Sequence, residues 1–592
     1  MGQKNRAHVF WLAVLVTTVF AGVAFIVLAA LPYGWVKPTI DTLARDGSSD
    51  LFTYFFHQRT RLVLVILGLS LLLLAGCINR RKQQVEECIE NLTWRSFNAT
   101  LYRDIREIRA SLLALAQAKI YIYTLVLITL LGALTRGLYL SQPMLHDEAY
   151  TYVAFASRAL RHIITDYHLP NNHVFHTILV FLSTRLLGNY PWTVRLPAYL
   201  AGVLVIPACY LAGSGQYDKK IALAAAALVS VSPVLIDYSA NARGYSLLCL
   251  ITLAILALAA YIKKHRNLIA WSLLIIFSCL GFYTLPTMLY PFSMVISWLL
   301  ISALTKDVAP EYGKRFLIYL LFSTAIVGIL TFALYAPILY VSGLSSLISN
   351  EYVQPVPYSG LWDSLLSRVA SVSGQWLEGI PHYWGILALA GILLGLILHR
   401  RISTQRVPLQ IAALLGIGLL LILQRVAPLA RIWLFLLPLT ILWVSAGIIG
   451  CIRLLLPATF HRQATAVLLV GAILLPGIQL ASSASNSNNR SLGVEEEIAI
   501  FMRENLQPTD LVVIQSPLAI TLEYYFARYG LDEGAFDEDR PKIQRMLVVV
   551  SRKYGQTLDE VLDKKGPQNY SQMHTLKPIH QYKHVTIYEL SP

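Results

Sequence analysis

The sequence predicts an all-α polytopic membrane protein with about 13 transmembrane helices and a small extracytoplasmic α/β domain at its C-terminus. Three observations predict this fold class. Of 592 residues, 56% are hydrophobic and only 14% are charged, whereas soluble domains contain about 25% charged residues. Apolar runs of about 17–25 residues recur along the chain, which is the length that a helix needs to cross a bilayer. After the last run, helical and strand patterns alternate, which favours a small α/β domain.

The expected membrane spans are the apolar runs themselves. They are 9–31, 62–78, 119–140, 195–213, 221–236, 246–262, 268–282, 285–304, 316–340, 383–399, 407–424, 431–453 and 464–480. A further apolar stretch at 173–188 is ambiguous, because it is short for a span and contains Arg185. The first span is long and lacks a small-residue cleavage site, so it does not resemble a cleaved signal peptide.

Basic residues indicate the orientation of these spans. Lys and Arg cluster in alternate short loops, including Arg80–Lys82, Lys263–Arg266 and Arg400–Arg406. The positive-inside rule places these loops in the cytoplasm together with the N-terminus, in a multi-pass protein of the plasma (inner) membrane. If 173–188 spanned the bilayer, the Lys263–Arg266 cluster would lie outside, so we expect this stretch to lie on the outer surface or to re-enter. Loop topology thus accounts for the net charge of +15, and a nucleic-acid partner is not needed to explain it.

The sequence divides into three parts. Residues 1–118 are expected to form a two-helix membrane hairpin and a cytoplasmic amphipathic segment, which as a surface helix would brace the bundle. Residues 119–480 form the predicted membrane core, and residues 481–592 the outer domain. In the outer domain the pattern predicts helices at 495–506 and 519–529 and strands at 510–515, 545–551 and 584–589.

Two adjacent carboxylates mark the first large outer loop of the core. Asp147 and Glu148 follow directly on a membrane span in the segment SQPMLHDEAYTY. Acidic residues beside a bilayer carry a desolvation cost that usually reflects a function, and either one could act as a general base. The alternative is a solvated acid that caps the following helix. A divalent metal on His146, Asp147, Glu148 and His173 is possible, but no HExxH or CxxC motif indicates one.

Polar residues near these acids suggest a binding pocket. Asn172 and His173 in PNNHVFHT offer hydrogen bonds at the bilayer surface. Four arginines lie at the outer ends of spans, where the positive-inside rule disfavours them; they are Arg136, Arg195, Arg243 and Arg431. Each one alone is readily explained as a snorkelling anchor. Together, beside an acidic loop, they suggest a site for a lipid phosphate.

These motifs resemble those of the C-type (GT-C) membrane glycosyltransferases, and more narrowly glycosyltransferase family 39 and the RgtA/B/C/D-like proteins. These are relatives of the protein O-mannosyltransferases and of the lipid A aminoarabinose transferases. The resemblance covers about 119–480 and lies in HDEAY, PNNHVFHT, WTVRLPAYLAG, SP…ARGYSL and ARIWLFLLP. It implies that Asp147 is the catalytic base, that Glu148 supports substrate binding, and that Arg243, Tyr245 and Arg431 belong to the donor site. Asn241 and Trp433 depart from the family pattern.

The resemblance implies transfer of a sugar from a polyprenyl-phosphate donor to a lipid, glycan or protein acceptor, outside the membrane. A single displacement with Asp147 as base would invert the anomeric carbon. Phosphate is already a good leaving group, so no cofactor or metal is chemically required. The alternative is a transporter or flippase of polyprenyl lipids or polysaccharides. That class predicts ionisable residues in mid-span and internal repeats, whereas the spans here are almost purely apolar.

Overall fold

A computed structural model of the chain describes residues 3–43, 52–80, 82–83, 94–312, 315–348, 355–378, 381, 383–487, 493–537, 543–566 and 575–591. Within these residues the helices are α1 (Gln3–Ala30), α2 (Tyr33–Leu43), α3 (Tyr54–Arg80), α4 (Trp94–Ala116), α5 (Lys119–Gly137), α6 (His146–Tyr150), α7 (Leu160–Ile163), α8 (Val174–Leu187), α9 (Pro191–Gln216), α10 (Lys219–Val231), α11 (Pro233–Ser239), α12 (Tyr245–Lys264), α13 (Leu268–Thr284), α14 (Leu289–Leu304), α15 (Arg315–Val341), α16 (Ser345–Ile348), α17 (Tyr358–Trp376), α18 (Tyr383–Ile397), α19 (His399–Ile402), α20 (Leu409–Gln424), α21 (Leu436–Leu455), α22 (His461–Ser487), α23 (Val494–Asn505), α24 (Leu518–Tyr529) and α25 (Leu558–Lys565). A π-helix at Thr151–Ala156 continues α6, and a 3₁₀ helix at Ala430–Phe435 leads into α21.

The apolar helices agree with the predicted membrane spans. In the part of the chain that the structure describes, 9 helices are long and apolar enough to cross a bilayer, and α10 with α11 makes a bent tenth. The shorter apolar helices α13, α18 and α20 coincide with the three remaining predicted spans. The chain is therefore a multi-pass membrane protein, as predicted. Helix α8, at 173–188, is 14 residues long, or about 21 Å, and so falls short of the roughly 30 Å hydrocarbon core.

One predicted span, 221–236, is broken in the structure. Helices α10 and α11 meet at an angle of 63°, because Pro233 has no N–H to donate to the carbonyl of Val229. Arg136 supplies the missing donors: its guanidinium lies 3.2 Å from that carbonyl oxygen and 2.9 Å from the carbonyl oxygen of Ser230. Arg136 also donates to the hydroxyl of Ser239 and is fully buried. The structure thus assigns Arg136 to the bend, whereas the sequence suggested a phosphate site.

The predicted N-terminal hairpin is formed by α1 and α3. A Cβ added to Gly22 would lie 3.0 Å from the carbonyl oxygen of Gly68, and one added to Gly68 would lie 2.8 Å from that of Gly22. Small residues at this crossing let the two backbones approach closely, as is common between membrane helices. The hairpin reaches the core through a small apolar cluster in which Phe52 packs near Val341 of α15.

The amphipathic segment after the hairpin contacts the loop between α12 and α13. The structure describes it from Trp94, and residues 84–93 of the segment lie outside the described residues. Asp104 of α4 is fully buried and accepts the backbone N–H of Leu268 at 2.7 Å. The Asn267 side chain donates to the carbonyl of Asp104 at 3.0 Å. Asp104 thereby satisfies an N–H in the first turn of α13 that has no partner within that helix.

The C-terminal α/β domain is confirmed, with two elements that the pattern missed. Strands β1 (Asp510–Ile514), β2 (Arg545–Ser551), β3 (Thr575–Gln581) and β4 (Val585–Ser591) form one sheet in the order β1-β2-β4-β3. Strands β1 and β2 are parallel, and the other pairs are antiparallel. The pattern missed α25 and β3. β3 is an edge strand that contains Pro578, and a proline within an apolar run weakens a strand prediction.

Replacing the buried cap on α13 should destabilise the protein. Asp104→Ala leaves the N–H of Leu268 without its carboxylate acceptor, so we expect a loss of about 1–2 kcal/mol in unfolding free energy. The measurement is denaturant-induced unfolding in detergent, followed by tryptophan fluorescence. The control is Asp41→Ala, which removes a half-exposed pair with Lys37 and should cost less than about 0.5 kcal/mol. Equal losses in the two variants would contradict the capping role.

Candidate active site

The predicted acidic pair lies on α6, a short helix that begins just after the loop following α5. Glu148 reaches back to accept the N–H of Leu145 at 3.0 Å, which is half of a capping box. Both acids occupy the first turn of α6, where the exposed N–H groups of a helix favour negative charge. The Thr151 hydroxyl donates to the Asp147 carbonyl at the start of the π-helix. This local structure holds the two carboxylates on different sides of one helical turn.

Glu148 forms a buried ion pair with Arg195 of α9. Arg195 Nε lies 3.0 Å from Glu148 Oε1, and Nη2 lies 2.6 Å from Oε2. The side chains are 1% and 0% exposed. The other guanidinium N–H groups donate to the backbone carbonyls of Leu140, Gln142 and Pro143 at 2.6–2.9 Å. All five N–H donors of Arg195 therefore have acceptors.

The remaining acceptor capacity of Glu148 is also used within the protein. Its Oε1 accepts the backbone N–H of Ala242 at 2.7 Å, so the same carboxylate ties α6 to the segment between α11 and α12. With four hydrogen bonds and no exposure, Glu148 has no free lone pair directed at solvent. Glu148 and Arg195 therefore position the loop. Their hydrogen-bonding groups are used within the protein, and their contact with substrate stays a prediction.

Asp147 faces the opposite way. Its side chain is 41% exposed, and its Oδ2 lies 2.5 Å from Nη1 of Arg243 and 3.5 Å from Nη1 of Arg431. Arg243 is almost buried, with 3% exposure, whereas Arg431 on the 3₁₀ helix is 33% exposed. The chain thus brings together three of the predicted site residues from three separate segments. The accessible carboxylate has two guanidinium groups on one side and solvent on the other.

His173 lies behind Arg243. Its Nδ1 accepts the backbone N–H of Gly244 at 2.8 Å, and its Nε2 lies 3.3 Å from Nη2 of Arg243. Burial and the neighbouring Arg243 guanidinium lower the pKa of His173 well below its usual range. The ring is therefore neutral, and because Nδ1 is an acceptor, its proton is on Nε2. Tyr245 packs edge-on against the His173 ring, with centroids 5.1 Å apart.

The Asn172 side chain bonds to the backbone of the neighbouring loop. Its side-chain amide donates to the carbonyls of Ile163 and Asp166 at 2.9 and 2.7 Å, and the residue is 1% exposed. It therefore fixes the loop before α8, while its Oδ1 is buried and has no hydrogen-bond partner within the described residues.

Several other buried polar atoms near Arg243 also lack a partner in the described part of the chain. They are Arg243 Nε, Asn241 Oδ1 and both ring nitrogens of His176. Buried polar groups in folded proteins are almost always paired with protein, water or ligand. These atoms include both hydrogen-bond donors and acceptors, so they indicate that a polar molecule binds beside Arg243. His176 belongs to the segment PNNHVFHT, in which the sequence offers Asn172, His173 and His176 as hydrogen-bonding residues at the bilayer surface.

The four candidate metal ligands have different surroundings in the structure. Glu148 and the Nδ1 atom of His173 accept backbone N–H groups, whereas Nδ1 of His146 and Oδ1 of Asp147 lie 3.5 Å apart. Within the described residues, no group of three or more His, Cys, Asp and Glu side chains is placed to hold a metal ion.

Neutralising Glu148 should strongly destabilise the fold. Glu148→Gln leaves Arg195 as a buried charge without its counter-ion, and breaking such a pair costs about 3–5 kcal/mol. The measurement is thermal and denaturant unfolding of the purified protein. Glu533→Gln, at an exposed carboxylate in the C-terminal domain, should leave the unfolding midpoint unchanged. A loss below about 1 kcal/mol for Glu148→Gln would show that the pair does not hold the loop.

Comparison with known proteins supports the fold. A family profile described as dolichyl-phosphate-mannose-protein mannosyltransferase matches residues 174–340. The structure is similar to that of ArnT from Cupriavidus metallidurans bound to undecaprenyl phosphate, with 14% identity and a TM-score of 0.51, covering 79% of this chain and 98% of that chain. It is more distantly similar to the archaeal oligosaccharyltransferase AglB from Archaeoglobus fulgidus, in complex with an inhibitory peptide and a dolichol-phosphate. That match has 12% identity and a TM-score of 0.45, over 74% of this chain and 71% of that chain.

The curated proteins compared with the sequence gave no match. The likeness to ArnT extends over nearly the whole of that chain and over 79% of this one. At 14% identity, the likeness to ArnT shows the fold alone. The protein therefore has the GT-C fold of membrane glycosyltransferases, as its motifs predicted.

Proposed function

We propose that this protein is an integral membrane glycosyltransferase that transfers a sugar from a polyprenyl-phosphate donor to an acceptor on the extracytoplasmic face. The observation that carries the proposal is the exposed carboxylate of Asp147, held by Arg243 and Arg431 where membrane helices end. A base and cationic donors in one open site are what a displacement from a sugar phosphate requires. The GT-C fold and the polyprenyl phosphate named in the ArnT structure are consistent with this reaction.

The proposed binding site for the donor phosphate lies beside Arg243 and His173. The proton on His173 Nε2 points toward Nη2 of Arg243, so two N–H donors face one another 3.3 Å apart. Neither can accept a hydrogen bond from the other. A phosphate oxygen at this position would accept from both, and Nε of Arg243 offers a further donor. Because His173 is neutral, the positive charge of the proposed site comes from Arg243 and Arg431.

The proposed chemistry is a single displacement. The acceptor's hydroxyl or amine attacks the anomeric carbon while the bond from that carbon to the phosphate oxygen breaks, and the electron pair leaves on the phosphate. Oδ2 of Asp147 is engaged by Arg243, so Oδ1 takes the proton from the nucleophile. The arginines stabilise the negative charge that grows on the leaving phosphate. Attack from the face opposite the phosphate inverts the anomeric centre, and the step needs no metal or second acid.

The cell envelope is the proposed setting. The charge distribution favours the plasma membrane, with Asp147 and the C-terminal domain on the outer side. The acceptor would then be an envelope lipid, glycan or protein. Comparing the mass spectra of envelope glycans and lipids from cells with and without the gene would identify both sugar and acceptor. A flippase would instead change the side on which a polyprenyl lipid accumulates without loss of a glycosidic product.

Removing the carboxylate of Asp147 should strongly slow transfer. Asp147→Asn cannot accept the nucleophile's proton, so we expect a decrease in transfer rate of about 10²–10⁴-fold. The measurement is restoration of the envelope product in cells that lack the gene, followed by rate measurements in isolated membranes. The matched control is Asp363→Asn, at an exposed carboxylate of α17 on the same predicted side. Near-normal product with Asp147→Asn would exclude Asp147 as the base.

Replacing Arg243 should weaken binding of the lipid phosphate. Arg243→Gln removes the charge and the fork of N–H donors, and we expect the Kd for undecaprenyl phosphate to rise about 10–100-fold. Tryptophan fluorescence in detergent micelles can follow the titration. Arg266→Gln, at the opposite end of α12, is the matched control and should leave the Kd unchanged. Equal affinity of the wild type for undecaprenol, which lacks the phosphate, would contradict the proposed phosphate site.

A further inference from the structure

We propose that Tyr150 binds the nucleophilic group of the acceptor, and that His168 and Asp166 are positioning residues that orient it. This inference rests on the proposed transferase function and adds the acceptor side of the same site. Tyr150 Oη lies 2.8 Å from Nε2 of His168, and Nδ1 of His168 lies 2.6 Å from Oδ1 of Asp166. Asp166 is fully buried, the His168 side chain is 13% exposed and Tyr150 is half-buried. The three side chains thus form a row that runs from a buried carboxylate to the hydroxyl of a half-buried tyrosine.

The hydrogen bonds of this row set the chemical character of the Tyr150 hydroxyl. Asp166 can only accept, so it fixes the proton of His168 on Nδ1. A second bond, from the His168 backbone N–H to the same Oδ1 at 3.2 Å, holds the ring beside the carboxylate. Nε2 of His168 then accepts the proton of the Tyr150 hydroxyl. A tyrosine hydroxyl donates one hydrogen bond and can also accept, so with its proton directed at His168 the Tyr150 oxygen faces an O–H or N–H group of an acceptor as a hydrogen-bond acceptor.

Tyr150 stands beside the proposed base. It follows Asp147 by three positions, which places it on a neighbouring part of the same helical face. Between them lies His146, whose ring stacks on the Tyr150 ring with centroids 6.5 Å apart and whose Nδ1 lies 3.5 Å from Oδ1 of Asp147. His146 and Asp147 are both more than 40% exposed. The accessible edge of α6 therefore presents, in order, Asp147, His146 and Tyr150, on the side of Asp147 away from the arginines.

A purely structural role explains this row less well. The loop that carries Asp166 and His168 is already fixed by Asn172, which donates to the Asp166 carbonyl. It is also held by Ser342 of the segment after α15, which bonds to the carbonyl of Thr165 and the N–H of Tyr167. A buried carboxylate behind a histidine is costly unless paired, and its effect here is to orient the hydroxyl of a half-buried tyrosine on the helix that carries the proposed base.

The test compares Tyr150→Phe with the wild type in transfer from endogenous polyprenyl-linked donor. The acceptor probe is the envelope fraction, from cells lacking the gene, that the wild-type protein labels. We expect the acceptor concentration for half-maximal rate to rise about tenfold, with an unchanged Kd for undecaprenyl phosphate. His168→Phe should reproduce this shift, and Tyr150→Phe/His168→Phe should add little to it, because both act through one hydroxyl. Tyr190→Phe, at an exposed tyrosine before α9, is the matched control.

Each outcome decides between the proposals. If the wild type labels no envelope fraction, the transferase function itself fails. If the wild type transfers and Tyr150→Phe shows the same acceptor dependence, the assignment of Tyr150 is overturned while the transferase function stands. A loss of undecaprenyl phosphate binding or of thermal stability in Tyr150→Phe, in place of a shift in acceptor dependence, would show a structural role and also overturn it.

Discussion

The arrangement of this site depends on the buried ion pair between Glu148 and Arg195. Two charges without solvent are tolerated only when each is paired and its remaining polar atoms are satisfied. Here the guanidinium closes the loop after α5 by taking three of its carbonyls, and the carboxylate takes N–H groups from Leu145 and Ala242. One interaction therefore fixes the start of α6, the start of α9 and the segment that carries Arg243. Asp147 and Arg243 meet because their backbones are attached to this pair.

Adjacent positions on α6 thereby acquire different properties. Successive residues of a helix point about 100° apart, so when Glu148 turns inward, Asp147 is directed toward the open side. Burial makes Glu148 a fixed structural charge that is fully used by the protein. Exposure leaves Asp147 an oxygen that arginines do not contact at close range. A base must exchange a proton during turnover, and of the two carboxylates only the exposed one has an oxygen that is accessible for this exchange.

The sequence predicted the membrane spans well, because hydropathy reflects the solvent that each helix face meets. It also indicates that Asp147, Arg243 and Arg431 lie at the same ends of spans, and in the structure these three side chains are close together. It did not separate these residues from Arg136 and Arg195. All are arginines at span ends, and their roles depend on which backbone carbonyls lie within reach, which is decided by tertiary packing. The row from Tyr150 to Asp166 was missed for a similar reason, since its hydrogen bonds join a helix to a distant loop.

The C-terminal domain packs against the segment that carries Asp147 and Glu148. The N–H of Met144 donates to the hydroxyl of Tyr525 on α24 at 3.1 Å, and the ring of Tyr152 packs edge-on against Tyr524. Ala149, next to Glu148, lies in the same apolar cluster as the helices and sheet of that domain. One face of α6 therefore contacts the C-terminal domain while Glu148 is anchored to α9. A helix of 5 residues cannot hold its shape by its own hydrogen bonds, so the domain and the ion pair together supply the rigidity that holds the carboxylate of Asp147, the proposed base, in place.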